Sequence, residues 1–291
     1  MVTNSINKYF KHLTQLARNW RFVTVRRLLL LPLIFSRREK RMLGLLILVM
    51  IISGFGLLTR LYVVFTKPVP DTGGSYTEGA LKEPRTINPL YSSQDTDRDI
   101  SRLVFSGLFY YNYNGELQPD LAEKYEVSPD GKTYRVTLRQ GVRWHDGKPL
   151  TADDVVFTIQ TIQNTQYKSV LRANWLGVQI EKIDDQTVVF GLRTPYSSFI
   201  ENLTLSIIPK HLWEEVPPEQ ALLHELNLKP VGSGPYRFSK LKQGKDGSVL
   251  WYRLSRNSKY YRPGPYLNQI NFIFFKNEEE AMTALHKNLI D

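Results

Sequence analysis

The chain has 291 residues, 38 Lys or Arg against 28 Asp or Glu for a formal charge of +10, five His and no Cys. The missing Cys excludes disulfides and thiol chemistry. The basic charge invites a nucleic-acid reading, but residues 1–41 hold ten of the cations against the single acid Glu39, leaving 28 basic and 27 acidic residues after Arg41 and no electrostatic case for nucleic acid there.

In chain order, Ile6, Phe10, Leu13, Ala17 and Trp20 fall at helical spacing among Lys8, Lys11, Arg18 and Arg21. This predicts a basic amphipathic helix suited to an anionic membrane surface, with Leu28 to Phe35 dipping into the same interface; a cytosolic tail whose charges only set topology fits equally. Met42 to Thr59 carries no charge, and after Arg60 apolar character resumes to Phe65. A spanning helix needs about 20 residues, so 42–65 is predicted as one transmembrane signal-anchor helix with Arg60 able to reach the headgroups. The cationic excess before it places 1–41 in the cytoplasm and the rest outside the cell membrane, extracellular or periplasmic. A cleaved signal peptide fits less well, because its apolar core is usually about 7 to 15 residues behind a short basic stretch. The Pro- and Gly-rich segment 66–75 reads as a linker.

Within the body, 76–291, Tyr125 and Val127 alternate with polar residues, Ser128-Pro129-Asp130-Gly131 suits a tight reversal, and Tyr134, Val136 and Leu138 resume the period of two, which predicts a β-hairpin. Thr151 stands three residues before Asp154, a helix-capping spacing, and Val155, Val156, Ile159 and Ile162 follow at helical intervals to about Gln163. Strands are predicted at Thr187 to Leu192, Trp251 to Leu254 and Ile270 to Phe275, and a helix at Glu278 to Lys287 with acids first and bases last, as its dipole favours. The body is therefore α/β, a mixed α+β arrangement.

In order and spacing, the block from Gln118 to Gln163 resembles the signature of the family 5 extracellular solute-binding proteins, the oligopeptide- and dipeptide-binding receptors of bacterial ABC importers. Other segments agree with it. Tyr76 to Leu81 with Ile87-Asn88-Pro89-Leu90 resembles the first strand and its loop, and Pro230-Val231-Gly232-Ser233-Gly234-Pro235-Tyr236 the glycine-rich turn. Asn257 to Tyr261 is similar to an N-x-x-Y segment, and Ala284 to Asp291 to A-L-x-x-G-x-I-D with Asn288 in place of Gly.

The resemblance implies a two-lobed clamp of the periplasmic-binding-protein kind with an extra small subdomain. A chain stopping at Asp291 holds most of lobe one and essentially none of lobe two, as a fragment or a shortened relative. Apolar strands such as Ile270 to Phe275 are then expected to lie uncovered. Extended peptide can be held by strand addition beside roomy pockets, and closure about a hinge presents it to ABC permease subunits. The resemblance places Lys82, Glu83, Pro84 and Arg85 at the cleft and Tyr167 and Trp175 within reach of ligand, while the acidic anchor for a peptide's amino group belongs to lobe two. It implies no cofactor and no metal.

Duller readings stand beside these. Glu83 and Arg85 read also as solvated loop charges, and Trp175 as core. His145-Asp146 with Asp153 and Asp154 suggests a metal or acid-base site but is accounted for by a turn and a helix start. Gly232-Ser233-Gly234-Pro235 lacks the Lys-Ser/Thr of a phosphate loop, and no G-x-S-x-G or H-E-x-x-H supports an enzyme. A membrane-tethered sensor or assembly protein, or a binder of sugars or metal chelates, is the alternative to a peptide receptor.

Overall fold

A computed structural model describes residues 36–66 and 69–291. The expected basic helix over Ile6 to Trp20 and the segment Leu28 to Phe35 lie outside the described residues. The chain divides into two units, Met1–Val69 and Pro70–Asp291.

In the first unit, α1 spans Arg37–Phe65 and encloses the apolar run. It begins before Met42 because Ser36 and Glu39 form a capping box: Ser36 N–H donates to the Glu39 carboxylate at 2.7 Å, and Glu39 N–H donates to Ser36 Oγ at 3.4 Å. No residue of α1 is buried.

The second unit is built on two four-stranded sheets. In the first, β1 (Gly73–Ala80) lies parallel to β10 (Leu267–Phe274), followed by β9 (Val249–Arg256) and β8 (Tyr236–Gln243), both antiparallel. In the second, β4 (Ala122–Val127), β5 (Thr133–Leu138), β7 (Thr187–Gly191) and β6 (Gln179–Asp184) are wholly antiparallel. A small hairpin, β2 (Phe109–Tyr111) and β3 (Leu117–Pro119), stands apart. Around the sheets lie α2 (Asp95–Val104), α3 (Ala152–Gln163), the one-turn helices α4 (Arg172–Trp175), α5 (Phe199–Asn202), α6 (Lys210–Trp213) and α7 (Pro218–Ala221), and α8 (Glu278–His286).

The hairpin and capped helix form as their periodicity predicts. Gly131 turns between β4 and β5 at φ +67°, a conformation that a side chain disfavours. Tyr134, Val136 and Leu138 of β5 are buried on one face, as are Ala152, Val155, Ile159 and Ile162 along one side of α3.

The expectation of an uncovered strand at Ile270 to Phe275 is corrected. β10 is paired on both sides, by β1 and by β9, and Ile270 and Phe272 are buried. The edges of that sheet are β1 and β8. Along β1, Asp291 N–H donates to Thr77 C=O at 3.0 Å and the Asp291 carboxylate accepts Thr77 N–H at 2.8 Å. The chain reaches that point through Asn288, which adopts φ +53° after α8. Asn tolerates this left-handed conformation better than other side-chain-bearing residues, so it can stand where the sequence pattern has Gly.

Candidate ligand-binding site

The site begins where α2 ends. From Val104 the chain runs on as Phe105 to Phe109 beside the segment Leu203 to Ile207: Phe109 N–H donates to Leu203 C=O at 3.1 Å, Ile207 N–H donates to Ser106 C=O at 2.9 Å, and Gly107 bridges Ser206. A Cβ on Gly107 would meet the Thr204 carbonyl oxygen at 2.6 Å. The glycine-rich turn presses on the end of α2 from elsewhere in the chain. A Cβ on Gly232 would lie 1.9 Å from the Val104 carbonyl oxygen, and Gly234 N–H donates to that oxygen at 2.8 Å. The turn is thus a device for close backbone approach.

His145 clips this turn in place. Its backbone N–H donates to Gly232 C=O at 2.8 Å, its Nδ1 accepts Gly232 N–H at 3.1 Å, and its Nε2 lies 3.1 Å from Gly234 C=O. Only the neutral ring with hydrogen on Nε2 satisfies both ring bonds. Burial is the main force depressing its pKa, to about 4; the Arg237 charge adds to it, while the bond to Gly234 and the charge of Asp146 oppose it.

The neighbouring acids are engaged separately. Asp146 meets His211 Nε2 at 2.7 Å, and Asp153 pairs with Lys182. The Asp154 carboxylate accepts the N–H groups of Thr151 and Lys210, each at 2.9 Å. Burial raises its pKa against those bonds. Among the described residues, no group of three or more His, Asp or Glu is placed to hold a metal.

Between these segments lies a cavity of about 1070 Å³, large beside the usual ligand pockets of about 300 to 1,000 Å³. Phe105, Phe109, Leu171, Trp175 and Leu205 give it apolar wall, and Asn174, Glu201, Asn202 and Ser206 give it polar groups. Arg98 and Arg102 of α2 line it as well, as do Tyr260, Arg262 and Tyr266 from the β9–β10 connection.

Arg262 is held rigidly. Its Nη1 donates to Asp120 at 3.0 Å, its Nη2 to Tyr110 Oη, and its guanidinium carbon stands 4.1 Å from the centre of the Tyr110 ring. Tyr261 Oη donates to the same Asp120 oxygen at 2.7 Å. Burial opposes the Arg262 charge, but the bonds to Asp120 and Tyr110 outweigh it and its pKa rises. Burial, and then the Asp120 charge, push the Tyr261 phenol up.

Of the six residues singled out in the sequence, Trp175 lines the cavity, although it is only 2 % exposed and packs against Phe190 and Phe199 with ring centres 6.1 and 5.9 Å away. Tyr167 is half-buried, with its hydroxyl donating to Val216 C=O at 3.3 Å. Lys82, Glu83 and Arg85 are exposed in the loop after β1, and Pro84 is buried; none of the four lines this cavity. The Glu83 carboxylate accepts Val249 N–H, and Asp97 of α2 accepts Arg85 N–H at 2.8 Å. Arg98, Arg102, Tyr110, Asp120 and Arg262 escaped the sequence reading. A usable signal was Pro119-Asp120-Leu121, an acid that starts no helix.

The mixed α/β body matches the fold of solved periplasmic binding proteins over about 44% of their length. The family model for bacterial extracellular solute-binding proteins, family 5 Middle, matches residues 116–291, and the chain belongs to that family. Its members are binding components and not enzymes. The chain is 33% identical over 220 residues to the oligopeptide-binding protein AppA of Bacillus subtilis, covering 74% of this chain and 40% of AppA. The AppA structure, solved in complex with a nonapeptide, matches with a TM-score of 0.71 at 32% identity over 77% of this chain and 44% of that one. The ABC transporter substrate-binding protein CtaP of Listeria monocytogenes matches at 0.69 and 37% over 76% and 44%, and NikZ of Campylobacter jejuni, in complex with Ni(L-His), at 0.67 and 32% over 77% and 43%. The chain thus spans about two fifths of the length of these relatives.

Proposed function

We propose that the protein is the membrane-anchored substrate-binding component of an ABC importer, in which residues 76–291 form the first lobe of a two-lobed clamp that captures peptides and delivers them to permease subunits. The observation that carries this reading is a cavity of about 1070 Å³ on a body that matches peptide-bound AppA. Its mixed wall of aromatic and polar groups suits extended peptide with varied side chains. The loop Lys82–Arg85 is bonded through Asp97 to the helix that supplies Arg98 and Arg102 to the cavity, which supports a ligand role for Lys82, Glu83, Pro84 and Arg85. Tyr167 and Trp175 flank the segment after α3 and complete the proposed ligand set.

In this reading α1 crosses the cell membrane, with its cationic N-terminal side in the cytoplasm and the body outside. The helix is long and apolar enough to cross a membrane, and ten cations precede Met42. Protease added outside intact cells should remove the body and leave the basic segment protected; protection of the body would reverse the orientation. Titration calorimetry with mixed short peptides tests the ligand. A chelate is the second reading, favoured by the NikZ match, and heat from nickel-histidine with none from peptides would select it.

A further inference from the structure

The outer faces of the two four-stranded sheets differ in charge. In the sheet of β4 to β7, Arg135 stands directly opposite Glu126, and Glu181 lies in the same cross-strand row beyond Val189. In the other sheet Tyr252 and Leu254 of β9 are buried, so Trp251, Arg253 and Ser255 point the other way. Directly opposite these on β8 stand Lys242, Lys240 and Arg237. Arg237, Lys240 and Lys242 are exposed and Arg253 is half-buried. Among the described residues, none of the four cations pairs with a carboxylate. Arg237 Nε donates to Ser255 Oγ at 3.3 Å and Arg253 Nε to Asn271 Oδ1 at 2.8 Å, both neutral acceptors. Asp291, at the β1 edge of the sheet, is spent on Thr77 N–H. Lysine on an edge strand such as β8 guards against stray strand pairing. That does not account for Arg253, on a strand paired on both sides, where Lys240 directly opposite repels it. The Arg253 guanidinium also stands 5.3 Å from the centre of the Trp251 ring, so the face joins unpaired cations to an aromatic side chain.

We infer that this face docks on an anionic lipid surface and holds the body against the membrane. The inference rests on the membrane-anchored reading proposed above. The sheet begins with β1 at Gly73, and α1 ends at Phe65. The connection 66–72 extends to about 25 Å at most, so the sheet stays within reach of the headgroups. Lys and Arg near anionic lipid are drawn to it, and tryptophan favours the interface. The test uses the protein as its host makes it, in phosphatidylcholine vesicles with or without about one third phosphatidylglycerol, part of the lipid being brominated in the upper acyl chain to quench tryptophan. The Trp251 signal is the difference between the protein and its Trp251→Phe variant. It should be quenched only with phosphatidylglycerol, and salt should relieve the quenching. In the double variant Lys240→Gln, Lys242→Gln the docked-to-free ratio should fall about tenfold, with thermal unfolding unchanged. Flotation with both kinds of vesicle but no quenching, or equal quenching in both, would overturn the inference and leave the anchor intact. Trp251 unquenched by lipid yet shielded from acrylamide in host membranes would give the face to an acidic protein and overturn the lipid surface. Flotation with phosphatidylglycerol vesicles alone, lost in the double variant, would uphold the face and overturn the anchor. Flotation with neither would overturn both.

Discussion

α1 and the body place the same kinds of side chain in opposite surroundings. Leu46, Ile51, Phe55 and Leu58 in α1 are each more than half exposed, whereas Leu121, Val136, Ile162 and Phe190 in the body are completely buried. Residue type does not separate the two regions. Pattern does: β5 alternates and α3 repeats at helical intervals, so each has one face to turn inward, while α1 from Met42 to Thr59 carries no charge on any side and has no charged face to leave in water. A helix of that kind and length is matched to a bilayer. The comparison teaches that hydrophobic period, more than hydrophobic content, decides which solvent a segment requires.

The comparison breaks first at α1. If α1 anchors the protein as proposed, substituting Leu48→Arg together with Ile52→Arg should cost membrane insertion about 2.5 to 3.5 kcal/mol per cation, moving the protein from the membrane pellet to the soluble fraction without changing the unfolding midpoint of the body. A body that stays with the membrane after this change would show an attachment other than α1. The converse change is Trp175→Ala, which should destabilise the body by about 3 to 5 kcal/mol and leave the membrane fraction unaltered. Thermal unfolding followed by circular dichroism reads the first quantity and fractionation the second.

What the sequence disclosed follows from the same distinction. The hairpin at Tyr125 to Leu138 and the helix Ala152–Gln163 were legible because their signals are local: alternation, a Pro-Asp-Gly turn, a cap. β6, β8 and the short helices were not predicted, since Gln179–Asp184 and Tyr236–Gln243 mix charges into both faces and a one-turn helix has no period to detect. The cavity was least legible. Arg98, Asp120 and Arg262 meet only after distant segments pack, and nothing in the spacing of Asp120 and Arg262 announces a bond between them. His145 is an intermediate case. Its turn was readable, but its grip on Gly232 and Gly234 depends on the fold.

That grip gives the body a pH dependence of its own. His145 has a folded pKa near 4 against an ordinary value of 6.5, so the unfolded chain binds the extra proton between those limits. Its contribution is therefore complete above about pH 6.5 and is lost as pH falls towards 4, by about 2 to 3 kcal/mol. Melting of the body should show this loss across that window, and His145→Gln, which keeps one donor and one acceptor but does not titrate, should flatten the step. A step that persists in the variant would assign it to another group.

The smallest effect lies in the loop after β1, where support of the fold and capture of ligand can be told apart residue by residue. Glu83 holds Val249 N–H, the first amide of β9, so Glu83→Ala should cost the body about 1 kcal/mol through that lost bond. Arg85 is anchored by its backbone N–H to Asp97, a bond that substitution leaves in place, so Arg85→Ala should change stability by less than about 0.5 kcal/mol. If the loop faces ligand as proposed, Arg85→Ala should nevertheless weaken peptide binding measurably in calorimetry, and the double variant by about 1 to 3 kcal/mol. Unaltered affinity in both variants, with a lowered midpoint only for Glu83→Ala, would make the loop a strut for β9 and confine the ligand to the cavity lined by Trp175.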